Sequence, residues 1–186
     1  MTEVSDHNLN GVDVGALLDA RTTLEGAPDA AKFTWKATSE WRDGIHTRSK
    51  VSGFYGLGEE QARKKAFEID TDHPEQFAAA DLGATPVEIV LCGLAGCLTG
   101  GIASVAARRG ITLRSVRASI EADMDLYGVM GIDAGVRNGF GDVRVVFNID
   151  ADADDDDILA LVAQSQKRSA VFDIMANPTR VTVDVK

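Results

Sequence analysis

The spacing of apolar and polar side chains changes several times along this chain, and each change predicts a new element. Residues 10–25 carry Val14, Leu17, Leu18 and Leu24 at helical spacing. A short amphipathic helix is predicted there, with Asn10 as its N-cap and Glu25-Gly26-Ala27-Pro28 as its stop. From Phe33 the period is two. Phe33, Trp35, Ala37, Ser39 and Trp41 alternate with Thr34, Lys36, Thr38 and Glu40, which predicts a strand. Asp43-Gly44 signals a hairpin, and Ile45 to Val51 is the returning strand. A strict two-residue turn would pair Trp41 with His46 and mix polar and apolar side chains on both faces. A longer loop, or a sheet covered on both sides, removes that conflict. Residues 53–84 read as a long connection with one strand, Ala66 to Ile69.

The second half is patterned more strongly. Thr85-Pro86-Val87-Glu88 combines an N-cap threonine, a first-turn proline and an acid at the third position, so a helix is predicted over 85–109, ended by Gly110. Val116, Ala118, Ile120, Ala122, Met124 and Leu126 line one face of a long strand; Arg117, Ser119, Glu121, Asp123 and Asp125 line the other. A glycine-rich loop, 128–141, leads to Val143, Val145, Phe147 and Ile149. A strand follows that loop, whereas a nucleotide-binding turn needs a helix. Asp154 to Asp157 open another helix, to about Arg168, and Val181, Val183 and Val185 predict a final strand. No repeat or linker divides this order, which reads as one α+β domain with a mainly antiparallel sheet.

Composition narrows the function classes. The 186 residues are 45% hydrophobic and 26% charged, enough for a core without disulfides or metal. A net charge of -10 argues against nucleic-acid binding and against a basic membrane-surface protein. Ile89 to Ala107 is free of charge and long enough to span a bilayer, and it contains Gly96 and Gly100 at a membrane-packing spacing. Its glycines, Thr99 and Ser104 dilute it, Glu88 borders it, and no second span exists. A helix buried in a core or a subunit interface is therefore expected, with no membrane partner. The N-terminus shows no basic-then-apolar leader, and two cysteines cannot make a disulfide scaffold. A reducing cytoplasm with free thiols is the expectation.

The candidate chemistry centres on Cys97. Gly93, Gly96, Gly100, Ser104 and Ala107 form a small-residue stripe beside it, suited to close approach by a second copy of the helix, so a homodimer with Cys97 near the seam is expected. The plainer reading of Cys97 is a small core hydrophobe. Cys92 and Cys97 cannot bridge within a regular helix, being separated by ~7.5 Å of rise and ~140° of rotation. Cys97 also lies about three turns from its helix start, beyond the reach of the dipole. A reactive Cys97 then needs a cation, and Arg42 and Arg48 are the candidates; their alternative role is as solvated strand charges. Glu88 has a structural role as the capping acid and lies ~180° around the helix from Cys97. The run Asp150 to Asp157 fails the calcium-loop pattern, with Asp155 where glycine is required and Leu161 where glutamate is required. His7, His46 and His73 form no spaced ligand set with the cysteines. No metal, cofactor or Ser-His-Asp triad is expected.

Three stretches together resemble the OsmC/Ohr family of osmotically inducible and organic hydroperoxide resistance proteins. Ala84 to Cys97 (ATPVEIVLCGLAGC) resembles the family's central-helix motif, Trp41 to Gly44 (WRDG) its N-terminal hairpin, and Ser169 to Met175 (SAVFDIM) its second-helix segment. The resemblance covers 33–186 as a single domain, with 1–32 as a helical extension of a divergent subgroup. It implies an intertwined α+β homodimer with two active sites at the interface. It further implies reduction of organic hydroperoxides by a thiolate, held by an arginine that a glutamate orients. Cys97 matches the peroxidatic cysteine, Arg42 the arginine, and Glu88 one family position of the glutamate. Attack on the O–O bond would leave a sulfenic acid on Cys97.

Two departures qualify this. The family's resolving cysteine falls on Ser169, which cannot form a disulfide, so turnover requires an external thiol or dithiol. In hydroperoxide-resistance members the glutamate lies ten residues before the cysteine, where this chain has Val87. Two functions follow as expectations: thiol-dependent hydroperoxide reduction in oxidative stress defence, or a non-enzymatic dimer that binds a small apolar ligand at its interface.

Overall fold

Tight reversals at residues of positive φ set the N-terminal sheet. The computed structural model describes residues 8–185, so His7 lies outside it. Strands β1 (Asn8–Leu9) and β2 (Val12–Asp13) form a small ladder. They are followed by helix α1 (Val14–Gly26), a 3-10 turn (Pro28–Ala31), β3 (Thr34–Trp35), β4 (Thr38–Asp43), β5 (His46–Gly56) and β6 (Glu59–Thr71). The pattern over 33–41 is therefore split into two short strands, both paired antiparallel to β5. Asp43 faces His46 across a reversal at Gly44 (φ 53°), and a bulge between Trp41 and Asp43 sets Trp41 opposite Thr47. That one-residue slip resolves the register conflict expected of a strict turn.

The connection expected over 53–84 is instead mostly sheet. β5 and β6 form a long hairpin around Leu57 and Gly58 (φ 56° and 86°), with a bulge between Val51 and Gly53. Both turn residues are left-handed, as a two-residue hairpin requires. Leucine in that conformation is uncommon, and it hid the turn. Pairs such as Lys50 with Glu68 and Arg48 with Asp70 replace apolar alternation along this hairpin.

Helix α2 (Pro86–Arg109) begins as predicted. Glu88 accepts hydrogen bonds from the Thr85 backbone N–H (2.7 Å) and hydroxyl (2.8 Å), while the Thr85 hydroxyl accepts from the Glu88 N–H (3.4 Å). Its other end closes at Gly110 (φ 73°): the Ile111 N–H bonds the Ala106 carbonyl (2.9 Å) and the Gly110 N–H bonds that of Ala107 (3.2 Å). This turn drops Ile111 into the main core with Val105, Ala106, Ala151 and Leu161. β7 (Leu113–Ala122), α3 (Leu126–Val129), β8 (Val143–Ala151), α4 (Asp155–Arg168) and α5 (Ala170–Ala176) complete the order. β7 and β8 are antiparallel, with Ala118 opposite Phe147 and Ile120 opposite Val145 on the inward face. Asp154 caps α4 by accepting from the Asp157 N–H (2.9 Å).

Three expectations change. Asn10 (φ 57°) is not the cap of α1. Its amide instead donates to the Ile111 carbonyl and accepts from the Leu113 N–H, both at 2.9 Å, and so ties the N-terminal ladder to the end of α2. Met124 and Leu126 leave the β7 face at the turn into α3. Residues 177–185 form no strand. Val181, Val183 and Val185 are 78%, 88% and 98% exposed, and among the described residues no strand pairs with this stretch.

The described chain divides into two compact units: Gly15–Val90, and the chain up to Val14 together with that from Leu91 onward. Every buried hydrophobic side chain among the described residues belongs to the second. The first carries most of α1 and the β3–β6 sheet, which leaves Trp35 (67%) and Trp41 (71%) exposed. Helix α2 is long and apolar enough to cross a membrane by length and composition alone, and 28% of its most apolar stretch is buried within the chain.

Candidate functional site

The surroundings of Cys97 follow from where helix α2 lacks bulk. Gly93, Cys97 and Gly101 recur at every fourth residue, hence on one face. The chain from α4 to α5 runs past that face. A Cβ on Gly101 would overlap the Ser165 side chain, and one on Gly93 would touch Val171 at 4.0 Å. Ser165 is buried and donates to the Leu98 carbonyl (2.7 Å), which fixes α4 against α2. One α4 turn further on, Ser169 is 5% exposed, and its hydroxyl donates to the Cys97 sulfur at 3.1 Å. The same oxygen accepts the Phe172 N–H (3.1 Å) as the cap of α5.

The predicted stripe is thus divided. Gly93 and Gly101 border elements of the same chain, whereas Gly96 and Gly100 meet nothing within 4 Å. Cys92 is exposed, Cys97 is part-buried, and both are free. Burial opposes ionisation of Cys97, but the Ser169 hydroxyl and the backbone N–H groups of Val171 and Ala170 outweigh it, so the thiol sits below its ordinary value. These uncharged donors are what the sequence reading missed. The signal was available in Ser169, which it treated only as a lost thiol.

Arg42, Arg48 and Glu88 lie in the other unit, each with a partner there. Arg42 pairs with Glu40 (3.2 Å) on the exposed surface. Arg48 clamps Asp70 with two hydrogen bonds (2.9 and 3.1 Å), and His46 bonds the same carboxylate at 2.8 Å. The Arg48 bond and then the His46 bond hold the Asp70 carboxyl below its usual range. Asp72, 1% exposed, is held low chiefly by the Leu82 N–H (3.1 Å). Glu88 is lowered by the Thr85 backbone and side-chain donors, consistent with its capping role. Separately, an open cleft of about 500 Å³ lies between the end of β7 and the 136–141 loop, lined by Asp123, Met124 and Arg137 among others.

The antiparallel α+β architecture is shared with solved structures. An OsmC-like protein from Mycoplasma pneumoniae aligns with a TM-score of 0.58 at 15% identity, over 78% of this chain and 89% of that one. An organic hydroperoxide resistance protein OsmC from Legionella pneumophila aligns with a TM-score of 0.52 at 17% identity, over 76% and 89%. At such identities these show a common fold, the OsmC-like fold. A search of curated proteins finds no match. The sequence profile of the OsmC-like proteins matches residues 79–184, which include Glu88, Cys97 and Ser169. That match spans more than half of the chain, and the protein belongs to the OsmC-like family.

Proposed function

We propose that this protein reduces organic hydroperoxides in oxidative stress defence, with Cys97 as the nucleophile. The observation that carries the reading is the part-buried Cys97 sulfur, hydrogen-bonded by Ser169 at 3.1 Å and lowered in pKa. The hydroperoxide resistance of the Legionella relative, a property of that protein, agrees with it. The thiolate attacks the outer peroxide oxygen and the O–O bond breaks. The leaving alkoxide takes a proton and departs as the alcohol, and Cys97 becomes a sulfenic acid. A small thiol then condenses with the sulfenic acid, releasing water and forming a mixed disulfide. A second thiol releases Cys97 and leaves as the oxidised disulfide. Arg42 is assigned the stabilisation of thiolate and alkoxide by the family resemblance; Glu88, one position past the glutamate of the hydroperoxide-resistance members, keeps its capping bonds to Thr85.

The working form in this proposal is a homodimer in a reducing cytoplasm. Support comes from what a single chain leaves uncovered: Gly96 and Gly100 in open space, Val90 at 44%, Trp35 at 67% and the C-terminal valines. The test is consumption of cumene hydroperoxide with a monothiol reductant. Wild type is expected to turn over, faster than with hydrogen peroxide, and Cys97→Ser to be inactive. A thiol pKa at or above the free value of about 8.5, with no consumption, overturns the reading and leaves the binding-protein alternative.

A further inference from the structure

The Ser169 hydroxyl stands between two groups that fix its direction. Its oxygen accepts the Phe172 N–H at 3.1 Å, and its proton points to the Cys97 sulfur, also at 3.1 Å. An oxygen that already accepts one hydrogen bond is a better donor in the next, so the chain N–H to O–H to sulfur favours negative charge at its end. Ser169 is itself 5% exposed, so little water competes for that proton. The position is held from both sides along the chain: by Ser165 on the Leu98 carbonyl before it, and by the α5 cap after it.

We infer that Ser169 is a positioning residue of the Cys97 site: its hydroxyl holds the sulfur as a thiolate and aims it, so that the position lacking a second thiol still serves the reaction. The inference deepens the peroxide-reducing reading and rests on Cys97 being the working nucleophile. It recasts the serine as a donor rather than a lost partner. Between turnovers the hydroxyl prepares the thiolate, and after oxidation it cannot bond to sulfur, so the sulfenic acid stays open to a thiol from solution.

The test uses the full chain with Cys92→Ser, so that Cys97 is the one thiol. The pH dependence of its alkylation by iodoacetamide gives the thiol midpoint without any peroxide. Ser169→Ala is expected to raise that midpoint by about one unit, the scale of one hydrogen bond to a charged acceptor, with the far-ultraviolet spectrum unchanged. Ser169→Thr keeps the hydroxyl and is expected to keep the wild-type midpoint. Should Ser169→Ala fail to fold, Ser169→Gly replaces it, since it too removes the hydroxyl, is tolerated at a helix cap and leaves Cys97 the one thiol, so the midpoint must still rise. Ser169→Cys tests proximity. Diamide, taking up two hydrogens as it becomes the hydrazine, is expected to join Cys97 to the introduced thiol within one monomer. An unchanged midpoint in Ser169→Ala, or no disulfide with diamide, overturns the inference. A raised midpoint and a closed disulfide, with no response of any variant to cumene hydroperoxide, sustains the role of Ser169 and defeats the peroxide reading instead.

Discussion

At the scale of single residues, the site depends on absent atoms as much as on present ones. Gly101 is small so that the Ser165 side chain can reach the Leu98 carbonyl, and that contact seats α4 one turn before Ser169. Gly101→Ala forces a short, buried and hydrogen-bonded side chain to move. It is expected to destabilise the fold by about 1–3 kcal/mol, read as a lower urea midpoint at unchanged slope. Gly96, with nothing near it, gives the contrasting case. In a lone chain Gly96→Ala would stabilise α2 by up to about 1 kcal/mol, but at a seam between copies it weakens association. The proposal predicts the second, seen as a dissociation constant raised in sedimentation equilibrium. For Arg42, the assignment predicts that Arg42→Ala slows peroxide turnover at least tenfold while Arg48→Ala, whose guanidinium is committed to Asp70, acts on stability first.

At the scale of elements, legibility followed the strength of local chemistry. Helix α2 was readable at both ends because a capping box and a left-handed glycine each satisfy backbone groups in a sequence-specific way. The inward faces of β7 and β8 were readable because one side of that ladder is part-buried and the other exposed. The β5–β6 hairpin was not, since it is specified by cross-strand charge pairs and by Leu57 in an unusual conformation. Nor was the setting of Cys97: hydrogen bonds from Ser169 connect positions 72 apart, which no local pattern encodes. Three hydrogen-bonded carboxylates carry their own prediction: Asp70 held by Arg48, Asp72 by the Leu82 N–H and Asp123 by Arg144. Asp70, Asp72 and Asp123 all have folded-state pKa values below the ordinary carboxylate value of about 3.9. Their contribution to stability is complete above that value and is lost as pH falls through the lower folded values. Urea midpoints are expected to fall steeply below about pH 4, and Asp70→Asn should lower the plateau near neutrality while flattening that acid limb.

At the scale of the whole molecule, much apolar surface stays uncovered in the described chain. All buried hydrophobic side chains among the described residues lie in one of the two units, while the tryptophans, Gly96 and Gly100 of α2 and the C-terminal valines remain exposed. A sheet without a buried face has little stability by itself. The homodimer proposal therefore predicts a melting temperature that rises with protein concentration, because association binds the folded state alone. A concentration-independent melting temperature with a monomeric mass would contradict it. The central claim, however, concerns one sulfur, and the most direct measurement is intact mass of the Cys92→Ser protein after one equivalent of cumene hydroperoxide at pH 7. The account predicts gain of a single oxygen on Cys97, removed by a monothiol through a mixed disulfide. An unmodified mass, with Cys97 still open to alkylation and the peroxide unconsumed, would contradict it.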